Sequence, residues 1–164
     1  DKVTLDGRTV SSTYIRSLVE AGDMETAGRY LAHPHLIRGS VRHGKGLGRT
    51  LGFPTVNIVP PEGILLPAYG VYASKVTLED GESYPAATNI GVRPTVEDGE
   101  RVTIEGFLLD FQGDVYGQTV TLELFHRLRG ERRFDSLEEL RCEVMKNADQ
   151  TRDYLAGTLS PGQG

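Results

Sequence analysis

The sequence predicts an all-β domain: a closed or nearly closed barrel of short antiparallel strands, covered by one long C-terminal helix. Three observations carry that expectation. Between residues 36 and 125, runs rich in β-forming side chains alternate with turn signals such as Asp80–Gly81 and Asp98–Gly99. After Ser136 the apolar residues switch to steps of three and four, the period of a helix. Glycine is frequent, 20 of 164 residues, as a hairpin-rich chain with many tight turns requires. Closing the sheet removes the edges of strands that are short and glycine-interrupted. Helices do not alternate with strands, which argues against a Rossmann arrangement.

Residues 1–32 read as helical. Ser11 or Ser12 caps a helix through Ile15, Leu18 and Val19 that Gly22 stops, and a second short helix covers residues 23–31. Residues 36–41 form a short strand, broken by the run from Gly44 to Arg49. Residues 71–78 and 84–90 are strands joined at Asp80–Gly81; 102–109 and 119–125 follow. Asn89 to Thr95 reads as a loop after a strand, with Arg93 as a phosphate contact or an ordinary rim ion pair. Arg127 to Phe134 reads as the loop before the long helix. Ser136 with Glu139 is a capping-box pair, and Leu137, Leu140, Val144, Ala148, Thr151 and Leu155 make the apolar stripe of a helix ending before Gly157. The last residues form a loose tail.

Composition narrows the function classes. Apolar types make up 38% and charged types 25%, as in a globular chain, and the formal charge of −5 disfavours a nucleic-acid partner. No apolar stretch approaches the roughly 20 residues that cross a bilayer, and no signal peptide is visible. The single cysteine, Cys142, rules out an internal disulfide and agrees with a cytoplasmic setting. The histidines show no zinc spacing. A start at Asp1 rather than Met suggests an excised module.

Two segments can carry chemistry. In the extended run after Gly48, Arg49 and Pro54, Thr55 and Asn57 point to one side, so both oxygens can approach one Mg²⁺. The preceding glycine run can fold over phosphates through its N–H groups. Lys45 lacks the order of a Walker A loop, so a P-loop reading fails. Satisfied turn polar groups are the plainer explanation of this run. Glu105 lies between Ile104 and Gly106 in an apolar strand, with Phe107 on its face. A carboxylate there must reach solvent, pair or bind, and it can serve as a base for an alcohol attacking a γ-phosphate. The competing explanation is an outward glutamate paired with arginine.

Taken together, GRTLGFPTVNI, GVYA, NIGVRPT, IEGFLLDF and RGERRFDSLEEL resemble, in kind, order and spacing, the riboflavin kinase family, over roughly residues 36–155. The likeness is to the C-terminal module of bacterial bifunctional riboflavin kinase/FAD synthetases. It implies a six-stranded Greek-key barrel with a C-terminal helix, using Mg²⁺ to transfer phosphate from ATP to riboflavin, with ADP and FMN as products. By resemblance, Thr55 and Asn57 hold Mg²⁺ and nucleotide phosphates, and Glu105 is the general base. The loop from Gly39 through Gly44, Lys45 and Gly48 to Arg49 is the flap around ATP. Arg129, Glu131 and Phe134 belong to the segment closing over the flavin. Ser11 to Arg16 resembles the motif near the end of the family's adenylyltransferase domain. That implies three parts: 1–32, an orphaned helical remnant of that upstream domain with poor order or altered packing; 33–157, the kinase domain; and 158–164, a flexible tail. The fragment is then unable to make FAD. Members commonly carry Asp where Asn147 stands here, so flavin affinity is expected to differ. A non-catalytic flavin-binding regulatory barrel, or a plain protein-interaction barrel, is the alternative.

Overall fold

Six strands close on themselves. They are β3 (His35–Arg42), β4 (Thr55–Val59), β5 (Gly70–Thr77), β6 (Ser83–Thr95), β7 (Gly99–Leu108) and β8 (Thr119–Arg129), in the order β3-β4-β7-β6-β5-β8. The computed structural model describes residues 3–5, 8–10, 12–42, 54–95 and 99–159. Every neighbouring pair is antiparallel. Strands β5, β6 and β7 form a meander, and β8 returns by a longer connection to lie beside β5, which is a Greek key. Ahead of the barrel lie a small hairpin, β1 (Val3–Leu5) with β2 (Arg8–Val10), and the helices α1 (Ser12–Ala21) and α2 (Met24–Leu31). The hairpin corrects the expectation of an all-helical start.

Alternation sorts the strands as their sequences require. Val56, Ile58, Ile90, Ile104, Tyr72, Val76, Leu122 and Leu124 are buried and fill the barrel. Two hydroxyls join them: Ser74 Oγ donates to the Ala86 carbonyl and lies 2.6 Å from Thr88 Oγ1, so neither polar group is buried unsatisfied. Gly39 sits within β3 rather than in a flap loop. A Cβ there would meet the Val59 carbonyl oxygen at 2.4 Å, so β4 crosses too closely for any side chain.

The thin apolar content of the two N-terminal helices requires them to pack against something else, and α1 and α2 pack on the barrel rather than showing poor order. Val19, Met24 and Ala27 are buried in the same cluster as Ile37, Tyr72 and Leu124. The Asp23 side chain caps α2 by accepting from Thr26 N. Across the junction, His126 of β8 is hydrogen-bonded to Glu25 of α2 and stacks on Tyr154 with ring centroids 5.0 Å apart.

The long helix, α3 (Leu137–Leu159), starts as its capping box predicts, with Ser136 Oγ accepting from Glu139 N at 3.1 Å. It runs through Gly157, which has no positive φ to end it. Val144, Ala148, Thr151 and Leu155 are buried, whereas Leu137, expected in the same stripe, is exposed. The helix lies on β5 and β6, and its Val144 and Leu140 pack on Phe107 of β7.

His35, at the start of β3, reaches the Leu65 carbonyl with Nε2 at 3.2 Å. Burial lowers its pKa below the ordinary 6.5, with His33 adding to that and the Leu65 hydrogen bond opposing it. The unfolded chain therefore takes up this proton first as pH falls, so the folded state loses stability on acidification through about pH 6.5. His35→Gln keeps a donor but does not titrate. Its stability, measured by urea unfolding between pH 5 and 7.5, is expected to depend less steeply on pH than the wild type; an unchanged slope would remove His35 as a source.

Candidate active site

The barrel register assembles the site. Asn57 of β4 lies directly across from Glu105 of β7, Glu105 across from Asn89 of β6, Asn89 across from Val71 of β5, and Val71 across from Arg129 of β8. One step along, Thr55, Phe107, Ala87 and Ala73 form a parallel row. Because Val56, Ile104, Ile90 and Tyr72 point into the barrel, both rows face outward. There α3 roofs them.

Between roof and sheet lies a cavity of about 620 Å³. Glu105, Asn89 and Phe107 line its floor, and Arg129, Glu131 and Phe134 line the segment that leads into α3. Glu105 is only 6% exposed and lines the cavity, with Asn57 directly across from it on the neighbouring strand. Thr55 and Asn57 border the cavity rather than line it. The structure thus brings Thr55, Asn57 and Glu105 together on one face, and Arg129, Glu131 and Phe134 around the adjoining space. Pro54 precedes β4, and its carbonyl accepts from Leu108 N at 2.9 Å, which fixes the β4–β7 register. Gly39 lies away in β3, while Gly44, Lys45, Gly48 and Arg49 lie outside the described residues.

The far wall is electrostatically organised. The guanidinium carbons of Arg129 and Arg132 lie 5.4 and 5.0 Å from the centroid of the Phe134 ring. Burial pulls the Arg129 pKa below its ordinary value, opposed by the Glu143 carboxylate. Asn147, 2% exposed, accepts from Arg129 Nε through Oδ1 at 3.1 Å. An amide thus meets the arginine at the position where an aspartate was the ordinary expectation. Glu131 lies over Gly91: a Cβ at Gly91 would meet Glu131 Oε1, so glycine leaves room for that carboxylate.

Two expectations are corrected here. Asn89 to Thr95 is strand, not loop, since β6 continues to Thr95 opposite β7, and β8 likewise runs to Arg129. The expected strand 84–90 already holds Asn89, but without the β6–β7 register sequence reasoning misses it as a neighbour of Glu105. The available signal is an asparagine inside an otherwise β-forming run, where that residue is depleted.

Fold and site define a ligand-binding barrel with a buried acid on its floor and an arginine–aromatic wall. The chain belongs to the riboflavin kinase family, whose Flavokinase domain (riboflavin kinase) matches residues 31–155. It is 45% identical over 147 residues to a bifunctional riboflavin kinase/FMN adenylyltransferase of Pseudomonas fluorescens, covering 90% of this chain and 46% of that protein. The corresponding protein of Bacillus subtilis is 37% identical over 158 residues, covering 95% and 50%. The chain spans about half the length of the curated relatives it matches. Among solved structures, riboflavin kinase from Trypanosoma brucei superposes with a TM-score of 0.56 at 29% identity, covering 77% of this chain and 78% of that one. A structure described as a macrolide-efflux protein from Streptococcus pneumoniae superposes at 0.85 with 34% identity, covering 92% and 49%. Among the described residues, no helix is long and apolar enough to cross a membrane.

Proposed function

We propose that this domain transfers the γ-phosphate of ATP to the 5′-hydroxyl of riboflavin, giving FMN and ADP with Mg²⁺ as the metal. The observation that carries the reading is the direct pairing of Asn57 with Glu105 at the edge of a cavity large enough for a tricyclic ring. Thr55 and Asn57 present hard oxygen donors on one face of β4, the chemistry a magnesium ion prefers, and they would hold it. The bound ion would offset charge on the phosphates. Glu105 takes the proton of the 5′-hydroxyl as that oxygen attacks the γ-phosphorus, and the bond to the ADP oxygen breaks in line. Arg129, Glu131 and Phe134 hold the flavin and, with α3, keep water out of the acceptor position.

The same proposal places this domain in a cytoplasmic bifunctional enzyme with a second half that adenylylates FMN, as the names of its curated relatives suggest. Residues 1–32 would be the helical remnant of that half with its linker, and 33–157 the kinase; of the expected tail 158–164, residues 158 and 159 finish α3 and residues 160–164 lie outside the described residues.

The test is FMN formation from riboflavin, ATP and Mg²⁺ with separated products, repeated with excess chelator. ATP-dependent FMN that disappears with chelator is expected. Stoichiometric riboflavin binding without FMN formation would instead make the domain a flavin-binding regulatory barrel.

A further inference from the structure

Glu143, in the second turn of α3, does not line the cavity, yet it holds two residues that do. Its side chain is 10% exposed. Oε1 accepts from Arg132 Nη1 at 2.9 Å. Oε2 lies 3.6 Å from Arg129 Nε and accepts from Asn147 Nδ2 at 3.2 Å. Asn147 closes the ring by accepting from the same Arg129 Nε, and its Nδ2 also donates to Gln150 Oε1 at 3.0 Å. Residues 143 and 147 are one helical turn apart, so they present a single clamp to the segment after β8. Both guanidiniums it grips face Phe134. Without the carboxylate, two like charges three positions apart would repel with nothing between them; Arg132 would lose its 2.9 Å anchor, and Arg129 would be left to the Asn147 Oδ1 and Gly130 carbonyl oxygens alone.

We propose that Glu143 is a positioning residue for the flavin side of the cavity, locking Arg129 and Arg132 against Phe134 and so setting affinity for a planar heterocycle it never touches. The proposal rests on the kinase reading for the identity of the ligand. It separates flavin affinity, governed by this wall, from phosphoryl transfer at the opposite edge beside Glu105.

The experiment is a riboflavin fluorescence titration without ATP, on the wild type, Glu143→Gln and Arg132→Gln, alongside steady-state kinetics and thermal melts. Glu143→Gln is expected to raise the riboflavin Kd about tenfold and the riboflavin KM in parallel. Turnover at saturating riboflavin and the KM for ATP stay within about twofold, a split that general loss of structure would not produce. Arg132→Gln removes one arm of the clamp at a side chain that is 58% exposed, so the fold is spared and a smaller rise in Kd is expected. Unchanged Kd in either folded variant overturns the proposal, as does an equal loss in turnover and in both KM values. A wild type that binds riboflavin but forms no FMN overturns the kinase reading alone, because the titration still decides the role of Glu143. A wild type that binds no riboflavin overturns both.

Discussion

Glu105→Gln is expected to lower turnover about 10²–10⁴-fold while riboflavin and nucleotide affinities stay near those of the wild type. The change keeps the size of the side chain and its capacity to accept a hydrogen bond, but removes the proton acceptor. Its neighbours make the test clean: Asn57 and Asn89 lie across from it on either side, so no second carboxylate occupies those two positions to take over. The 5′-hydroxyl must lose its proton as its oxygen bonds to phosphorus, and amide oxygen is too weak a base for that. Initial rates at limiting and saturating riboflavin, with Kd values measured separately, check the prediction. Near-normal turnover would remove Glu105 from the chemistry and leave it a buried structural acid.

The local half of this site is legible in the amino-acid sequence. Period-two alternation places Thr55 with Asn57, and Glu105 with Phe107, on common faces. The capping box and apolar stripe locate the roof helix. Register is not legible, because pairing Asn57 with Glu105 depends on closing the barrel through the β4–β7 contact, and nothing in either strand alone names its partner. The continuation of β6 beyond Ile90 is hidden for a different reason. Gly91 and Pro94 are loop-forming residues, yet Gly91 makes room for Glu131, and Pro94 stands near the hairpin end of β6, where a missing N–H is tolerated. The strand survives both. The Glu143 clamp is invisible in sequence because its arginines come from the end of β8 and the segment beyond it, which together resemble one charged loop. Its carboxylate comes from a helix face outside the apolar stripe. Only the docking of α3 joins them.

Gly39→Ala is expected to destabilise the fold by about 3 kcal/mol, a fall in Tm of roughly 6–12 °C. The added methyl would meet the Val59 carbonyl oxygen at 2.4 Å, its carbon at 2.9 Å and Ile58 Cγ2 at 2.8 Å. Two of those atoms are backbone, so relief requires moving β4, and β4 carries Thr55 and Asn57. Catalysis should therefore suffer together with stability. Gly91→Ala supplies the contrast. Its methyl also lands inside contact distance, but on the Glu131 carboxylate, the far end of a flexible side chain that can swing aside. Gly91→Ala should hold its Tm within about 4 °C while weakening riboflavin binding, since the displaced carboxylate is part of the cavity wall. Thermal melts and riboflavin titrations on the two variants separate the cases. A Gly39→Ala protein that melts like the wild type would mean that β3 and β4 do not cross as closely as this barrel requires, and the placement of Thr55 and Asn57 beside Glu105 would fall with it.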